Sequence, residues 1–109
     1  GISCLIGGFD GDGSAHLFQT EPSGIFYEYK ANATGRSAKT VREFFEKNYR
    51  EEDVATEKGA VKLAVRALLE VAQSGQNNLE VAVMENNKPL KMLDREVIQE
   101  YVNIIEKDK

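Results

Sequence analysis

Apolar residues crowd the start of the chain, where Ile2 to Phe9 forms a short, almost unbroken run that takes in Gly7 and Gly8. Such a run predicts a strand covered on both faces, because a strand wetted on one side would alternate. Asp10-Gly11-Asp12-Gly13 follows, with glycines suited to the positive φ of a hairpin turn. Ala15 to Thr20 returns as a second strand. Glu21-Pro22-Ser23-Gly24 reads as a β-turn, Pro presetting φ at its second position and Gly closing it. Ile25 to Ala31 alternates, placing Ile25, Tyr27 and Tyr29 on one face and Phe26, Glu28 and Lys30 on the other. Three strands joined by tight turns predict an antiparallel meander.

Beyond Gly35 the apolar spacing changes to steps of three and four. Ser37 is placed to cap a helix whose apolar positions are Val41, Phe44, Phe45 and Tyr49. Glu51-Glu52-Asp53 breaks the pattern, and Thr56 is placed to cap a second helix. There Val61, Ala64, Val65, Leu68 and Ala72 form a stripe, which Leu63, Leu69 and Val71 widen well beyond one face. A helix apolar round most of its circumference is expected between neighbours, not on a surface. Gly75 is expected to end it at the C′ position. Leu79, Val81 and Val83 then alternate with Glu80 and Ala82. Asn86-Asn87-Lys88-Pro89 turns, and Leu90 to Leu93 pairs back. Asp94 is placed to cap a last helix carrying Val97, Ile98, Tyr101, Val102 and Ile105 on one side. Hairpin strands with segregated helices predict an α+β fold, helices layered on antiparallel sheet.

Size and charge narrow the picture. A chain of 109 residues is one domain at most, and 41% hydrophobic with 29% charged residues argues against disorder. The net charge of −4 makes nucleic acid a poor partner, since phosphate binding needs a basic face. One cysteine excludes an internal disulfide. No apolar run approaches the roughly 18–20 residues that span a bilayer, so no membrane helix is expected. The charge is segmented: residues 1–35 sum to −3, residues 36–50 to +3 and residues 51–109 to −4. The basic stretch reads as a solvated helix face or a subunit contact. The opening residues lack an initiator Met and any signal-peptide pattern, and they begin on a strand, which suggests a fragment.

Candidate chemistry is sparse. Asp10, Asp12 and Ser14 have the odd spacing of a calcium loop, with Glu21 at its twelfth position. Its sixth position, however, is Ala15 where glycine is needed, and strands flank it where helices should. A hairpin turn is the expected reading. Gly7, Gly8, Gly11 and Gly13 open no helix and so present no helix-terminal amides to a phosphate. His16 is the only histidine. Facing Cys4 across the first hairpin, it would make the minimum of a thiol nucleophile and its base. Cys4 lies in an apolar run, though, where burial would leave the thiol inert. Glu43, Glu46 and Glu70 are expected on helix surfaces. No catalytic, cofactor-binding or metal-binding residue is assigned, and no cofactor is expected.

Longer stretches carry a resemblance. Leu17-Phe18-Gln19-Thr20-Glu21-Pro22-Ser23-Gly24, followed by Tyr29-Lys30-Ala31-Asn32-Ala33-Thr34-Gly35-Arg36, strongly resembles the α subunits of the 20S proteasome. Ser37 to Tyr49 is most similar to the members at the fourth position of the ring. Leu68 to Gly75 and the closing Tyr101 to Lys107 stretch fit the same group. The resemblance covers essentially all of residues 1–109 but only the C-terminal half of such a subunit. It implies part of a four-layer α-β-β-α sandwich of the N-terminal-nucleophile hydrolase type, with antiparallel sheets inside and helices outside.

The resemblance also implies a role. Seven α subunits form each outer ring of the particle, gating access to the proteolytic chamber and docking regulatory particles, while β subunits hydrolyse peptides through an N-terminal Thr. Proteolytic β subunits carry a Ser where Arg36 stands and an Asp in place of Val71, and only Ser74 matches them. Gly1 offers no nucleophile. These departures imply a non-catalytic subunit, cytoplasmic and nuclear, whose partners are neighbouring α subunits, β-ring subunits and regulators, with neither nucleic acid nor membrane. Arg36, Lys39 and Arg42 are its candidate inter-subunit contacts. Taken without its other half, the second helix is expected to expose an apolar patch that drives association. Two other readings stay open: a free-standing α+β adaptor that dimerises, and a hydrolase using Cys4.

Overall fold

Tight turns fix the register of the first sheet in the computed structural model, which describes residues 3–71 and 79–108. Strands β1 (Cys4–Phe9), β2 (Ala15–Thr20) and β3 (Phe26–Tyr29) form an antiparallel sheet in the order β1-β2-β3, the expected meander. The first turn closes through Gly13 N to Asp10 O and Asp10 N to Ser14 O, each 2.9 Å, with Gly13 at φ 89. The second closes through Gly24 N to Glu21 O and Glu21 N to Ile25 O, also 2.9 Å. That last bond draws Ile25 into the turn, so β3 begins one residue later than the alternation suggests.

Directly opposed residues share a face. Phe9 and Ala15, Gly7 and Leu17, and Leu17 and Tyr29 are paired on one side. This side looks toward the helices: Phe9 and Ala15 line a cleft with Ala60, Val61 and Ala64. Ile6 and Phe18, Gly8 and His16, and Phe18 and Glu28 are paired on the other. No layer of described residues covers that side. The expectation that both faces of β1 are covered is therefore corrected, since Cys4 and Ile6 on that side are exposed.

Helix α1 (Ala38–Asn48) follows Ser37, which sits at the N-cap position with φ 65 and makes no side-chain cap. The expected hydroxyl cap is thus absent, because the left-handed backbone turns the side chain away from the first-turn amides. Helix α2 (Glu57–Leu69) is capped as expected, Gly59 N donating to Thr56 Oγ1 at 3.1 Å. Thr56→Ala should lower stability by about 1 kcal/mol, read as a fall in urea midpoint, and Thr56→Ser should retain it.

Val61 and Val65 are buried on one side of α2, and Leu63 and Ala67 are buried about 200° around the axis. The helix is sandwiched, between α1 on one side and α3 (Arg95–Lys107) on the other. The apolar excess expected to lie bare on α2 is thus largely covered within the chain, and the exposed apolar surface lies on the sheet instead. The helix ends at Leu69, earlier than the apolar stripe suggests. Glu70 N bonds Ala67 O and Val71 N bonds Leu68 O, so its last turn tightens into three-residue spacing. Ala72 and Gly75 lie outside the described residues.

Strands β4 (Ala82–Val83) and β5 (Lys91–Met92) form a second antiparallel pair. Leu93 N to Val81 O at 2.9 Å extends their contact, and Asn87 takes φ 62 in the connecting turn. Leu79, Val81 and Val83 pack on the core, as their alternation predicts. Asp94 stands at the N-cap of α3 but makes no side-chain cap, contrary to expectation.

The core joins Val61 and Val65 to Ile98, Val102 and Ile105. Every fully buried described residue is on a helix. The shortest extent of the molecule, 24 Å, accommodates one helical layer and one sheet. The fold is α+β, with antiparallel sheets and helices on one side.

Candidate functional site

The outward face of the first sheet gathers polar and aromatic groups. His16 lies on β2 beside Phe18, their rings stacked at 6.0 Å and 13°. Phe26 meets Phe18 edge-on at 5.9 Å. Ile6 and Phe26 are exposed, at 52% and 64%, far above what an internal apolar side chain retains.

His16 is gripped from two directions. Its Nδ1 lies 2.5 Å from Glu28 Oε2 on β3, and its Nε2 lies 2.8 Å from Asp10 Oδ2 in the first turn. The second contact is ionic and off the N–H direction, whereas the Glu28 contact is a hydrogen bond. The Glu28 hydrogen bond, against some opposing burial and aided by Asp10, raises the imidazole above its ordinary value. Asp12 is held below the usual carboxylate range, chiefly by accepting the Ser14 amide at 2.9 Å. That bond places Asp12 in turn geometry, as the sequence suggests for Asp10 to Ser14.

The Cys4–His16 pairing does not form. Cys4 opposes Thr20 and His16 opposes Gly8. Four strand residues separate the two along the sheet, about 13 Å at a strand's rise. Cys4 is exposed, not buried as expected, because no layer of described residues packs on its face of the sheet. Among the described residues no group of three or more His, Cys, Asp or Glu side chains is arranged to hold a metal ion. With both ring nitrogens against carboxylates, His16 has no lone pair turned toward a nucleophile, so the cluster is an ion bridge and not a general base.

The sequence reasoning missed this cluster. Its signal was present: the second hairpin's register puts Glu28 opposite Phe18, hence beside His16 on one face.

The basic stretch is divided. Arg42 Nη1 donates to Ala33 O at 2.7 Å, tying α1 to the loop before it, while Arg36 and Lys39 are exposed. A cleft of about 340 Å³ between the helices is lined by Phe44, Lys62, Arg66, Leu69, Ile105 and Asp108, among others. Arg66 stacks over Phe44 at 5.2 Å, and Lys62 pairs with Asp108 at 3.0 Å. These contacts brace α2 against its neighbours. Glu43, Glu46 and Glu70 are exposed, as expected of helix-surface carboxylates. Arg36 is exposed and Val71 half-buried, while Gly1 and Ser74 lie outside the described residues.

Among the described residues the geometry offers ion bridges and apolar surface and no assembled reaction centre, which directs attention to kinship. A family model described as "Proteasome subunit" matches residues 1–84. The chain belongs to the proteasome subunit family. Among its relatives in that family, the proteasome subunit alpha type-7-1 of Drosophila melanogaster is 86% identical over 109 residues, covering 100% of this chain and 44% of that protein. The Drosophila virilis alpha type-7-1 subunit is 84% identical over the same span, with the same coverage. The human alpha-type 8 subunit is 57% identical across the whole chain and is covered over 43% of its own length. The chain therefore spans less than half the length of these curated relatives.

Proposed function

We propose that these residues are the C-terminal part of a non-catalytic α-ring subunit of the 20S proteasome core. The observation that carries this reading is 86% identity maintained across all 109 residues with an alpha type-7-1 subunit. The subunit builds the outer ring, gates substrate access to the chamber and docks regulators, contributing to protein degradation in the cytoplasm and nucleus. Its neighbours are other α subunits and the β ring. Hydrolysis belongs to the β subunits, and the positions Arg36 and Val71 carry neither the hydroxyl nor the carboxylate that a proteolytic site uses there.

The open sheet face fits this assignment. In a four-layer α-β-β-α sandwich both sides of each sheet are covered, so Ile6, Phe18 and Phe26 on the outward side of β1–β3 become interior. Burying apolar area of that kind is worth about 25 cal/mol per Å².

The test is the native mass of the polypeptide and of the particle with which it co-sediments from source cells. A subunit about twice this length in a large barrel-shaped complex is the expected result. A discrete species of 12.1 kDa, or a small dimer of it, would overturn the assignment.

A further inference from the structure

Helix α2 has a side turned away from both sheets. Its Ala60, Val61 and Ala64 share a cleft with Phe9 and Ala15. Gly59, Lys62, Arg66 and Glu70, spaced by three and four, lie about 200° round the axis from them. In the four-layer arrangement proposed above the helices are outermost, so completing the sandwich does not cover this side.

Two depressions adjoin there and share Lys62 and Arg66 as walls. One, of about 310 Å³, reaches back to Gly59, where the Asp53 carbonyl crosses the helix. The other is the cleft of about 340 Å³ described above, which continues to Glu70. From Gly59 to Glu70 is about 16 Å at a helix's rise per residue, the length of about five extended residues.

The charges along this groove are ordered. Its acids Asp53 and Glu70 stand toward the ends, and the two cations stand between them. Lys62 is engaged by Asp108 at 3.0 Å. Arg66 has no carboxylate paired with it among the described residues. Its one polar contact there is Asn48 Oδ1 at 3.5 Å, the outer limit of a hydrogen bond. Yet it is held in position: its Cζ lies 5.2 Å from the Phe44 ring centroid, and Asn48 is itself fixed by donating to Phe44 O at 2.9 Å. A guanidinium has five N–H donors, and one already stacked on an aromatic ring meets a carboxylate with little further ordering. Phe44 and Leu69, both half-buried, supply apolar wall beside it.

We propose that this groove is a docking site for a short extended peptide of a partner protein. A central Glu or Asp of that peptide meets Arg66, and an adjoining apolar side chain lies against Phe44 and Leu69. Its ends carry no acid, because Asp53 and Glu70 would repel one there. A small carboxylate would leave most of the groove empty. The inference rests on the α-subunit reading only for the outermost place of the helices.

Arginine labelling with phenylglyoxal tests it, in 20S particles isolated from source cells with peptide hydrolysis inhibited. Mass spectrometry follows modification of Arg66, with Arg36 as an exposed reference. The probe is the capped peptide acetyl-Lys-Leu-Glu-Leu-Lys-amide, and its control carries Gln in place of Glu. At tenfold over its half-effect the Glu peptide should slow Arg66 labelling about tenfold and leave Arg36 unchanged. The Gln peptide at the same concentration should slow it by less than about twofold. Equal protection by both peptides, or by acetate at that concentration, would overturn the proposal. So would an absence of protection, or an Arg66 that never reacts because the particle covers it. Failure of the α-subunit reading shows separately, as absence of the chain from the particle, and the labelling is then run on the full-length polypeptide.

Discussion

Ile98→Ala should cost about 2–5 kcal/mol, a large share of the roughly 5–15 kcal/mol that holds a domain of this kind together. Ile98 is 4% exposed and packs with Val61, Val65, Val102 and Ile105, the whole of the fully buried cluster. Removing three carbons there deletes contacts on both α2 and α3, and a cluster this small has few neighbours able to move in and fill the void. Urea unfolding at fixed protein concentration checks it. The midpoint should drop while the slope stays constant, since the surface exposed on unfolding hardly changes. Ile104, on the same helix but 48% exposed, provides the contrast: its replacement by alanine should stay within about 0.5 kcal/mol. Equal shifts for the two variants would show that α3 turns a different face to the core.

Gly59→Ala is the second large effect, and its sign opposes the usual helix rule. Alanine is favoured over glycine inside a helix by about 1 kcal/mol. At Gly59, however, an added Cβ would lie 1.6 Å from Asp53 O and 2.8 Å from Asp53 C. Backbone cannot swing aside as a side-chain tip can. The loop carrying Asp53 is itself pinned, with Asp53 N bonded to Arg50 O at 3.1 Å and Val54 N to the same oxygen at 3.3 Å. Gly59 N also bonds the capping Thr56 hydroxyl, so displacing the loop endangers the cap. Overpacking of this kind costs about 1–3 kcal/mol and sometimes more, so a net loss of about 2 kcal/mol is expected. Thermal unfolding is the measurement, and a raised Tm would mean that the loop does not cross the helix at this point.

Gly59 also illustrates what the sequence conceals. A glycine in the first turn of a helix carries no local signal that a backbone oxygen passes over it, because the close approach is between segments and not along one. Periodicity, by contrast, is local, and it located β2 to the residue and placed Val61, Val65, Ile98, Val102 and Ile105 on the right faces. Thr56 was readable as a cap because only its own dihedrals and those of the next three residues are involved. Ser37 and Asp94 looked equally suitable and form no cap, since the chain's approach to each helix decides whether the oxygen can reach. The His16 cluster was half legible: alternation places Glu28 on the right face, but joining it to Asp10 needs the register of two hairpins at once. The misjudged exposure of Cys4 has a different origin. An apolar strand signals that cover is wanted and says nothing of which segment supplies it.

Restriction of the fully buried side chains to helices bears on how the chain reaches its shape. The meander can zip from its own turns, each closing a loop of a few residues. The cluster must instead bring Val61 and Ile98 together across roughly forty residues, which carries a larger entropic barrier. The β4–β5 hairpin lies inside that span, and once closed it holds Leu93 against Val81, shortening the length still to be searched. Its two-residue strands add little cover of their own; their part is to shorten the loop that is closed when α2 meets α3.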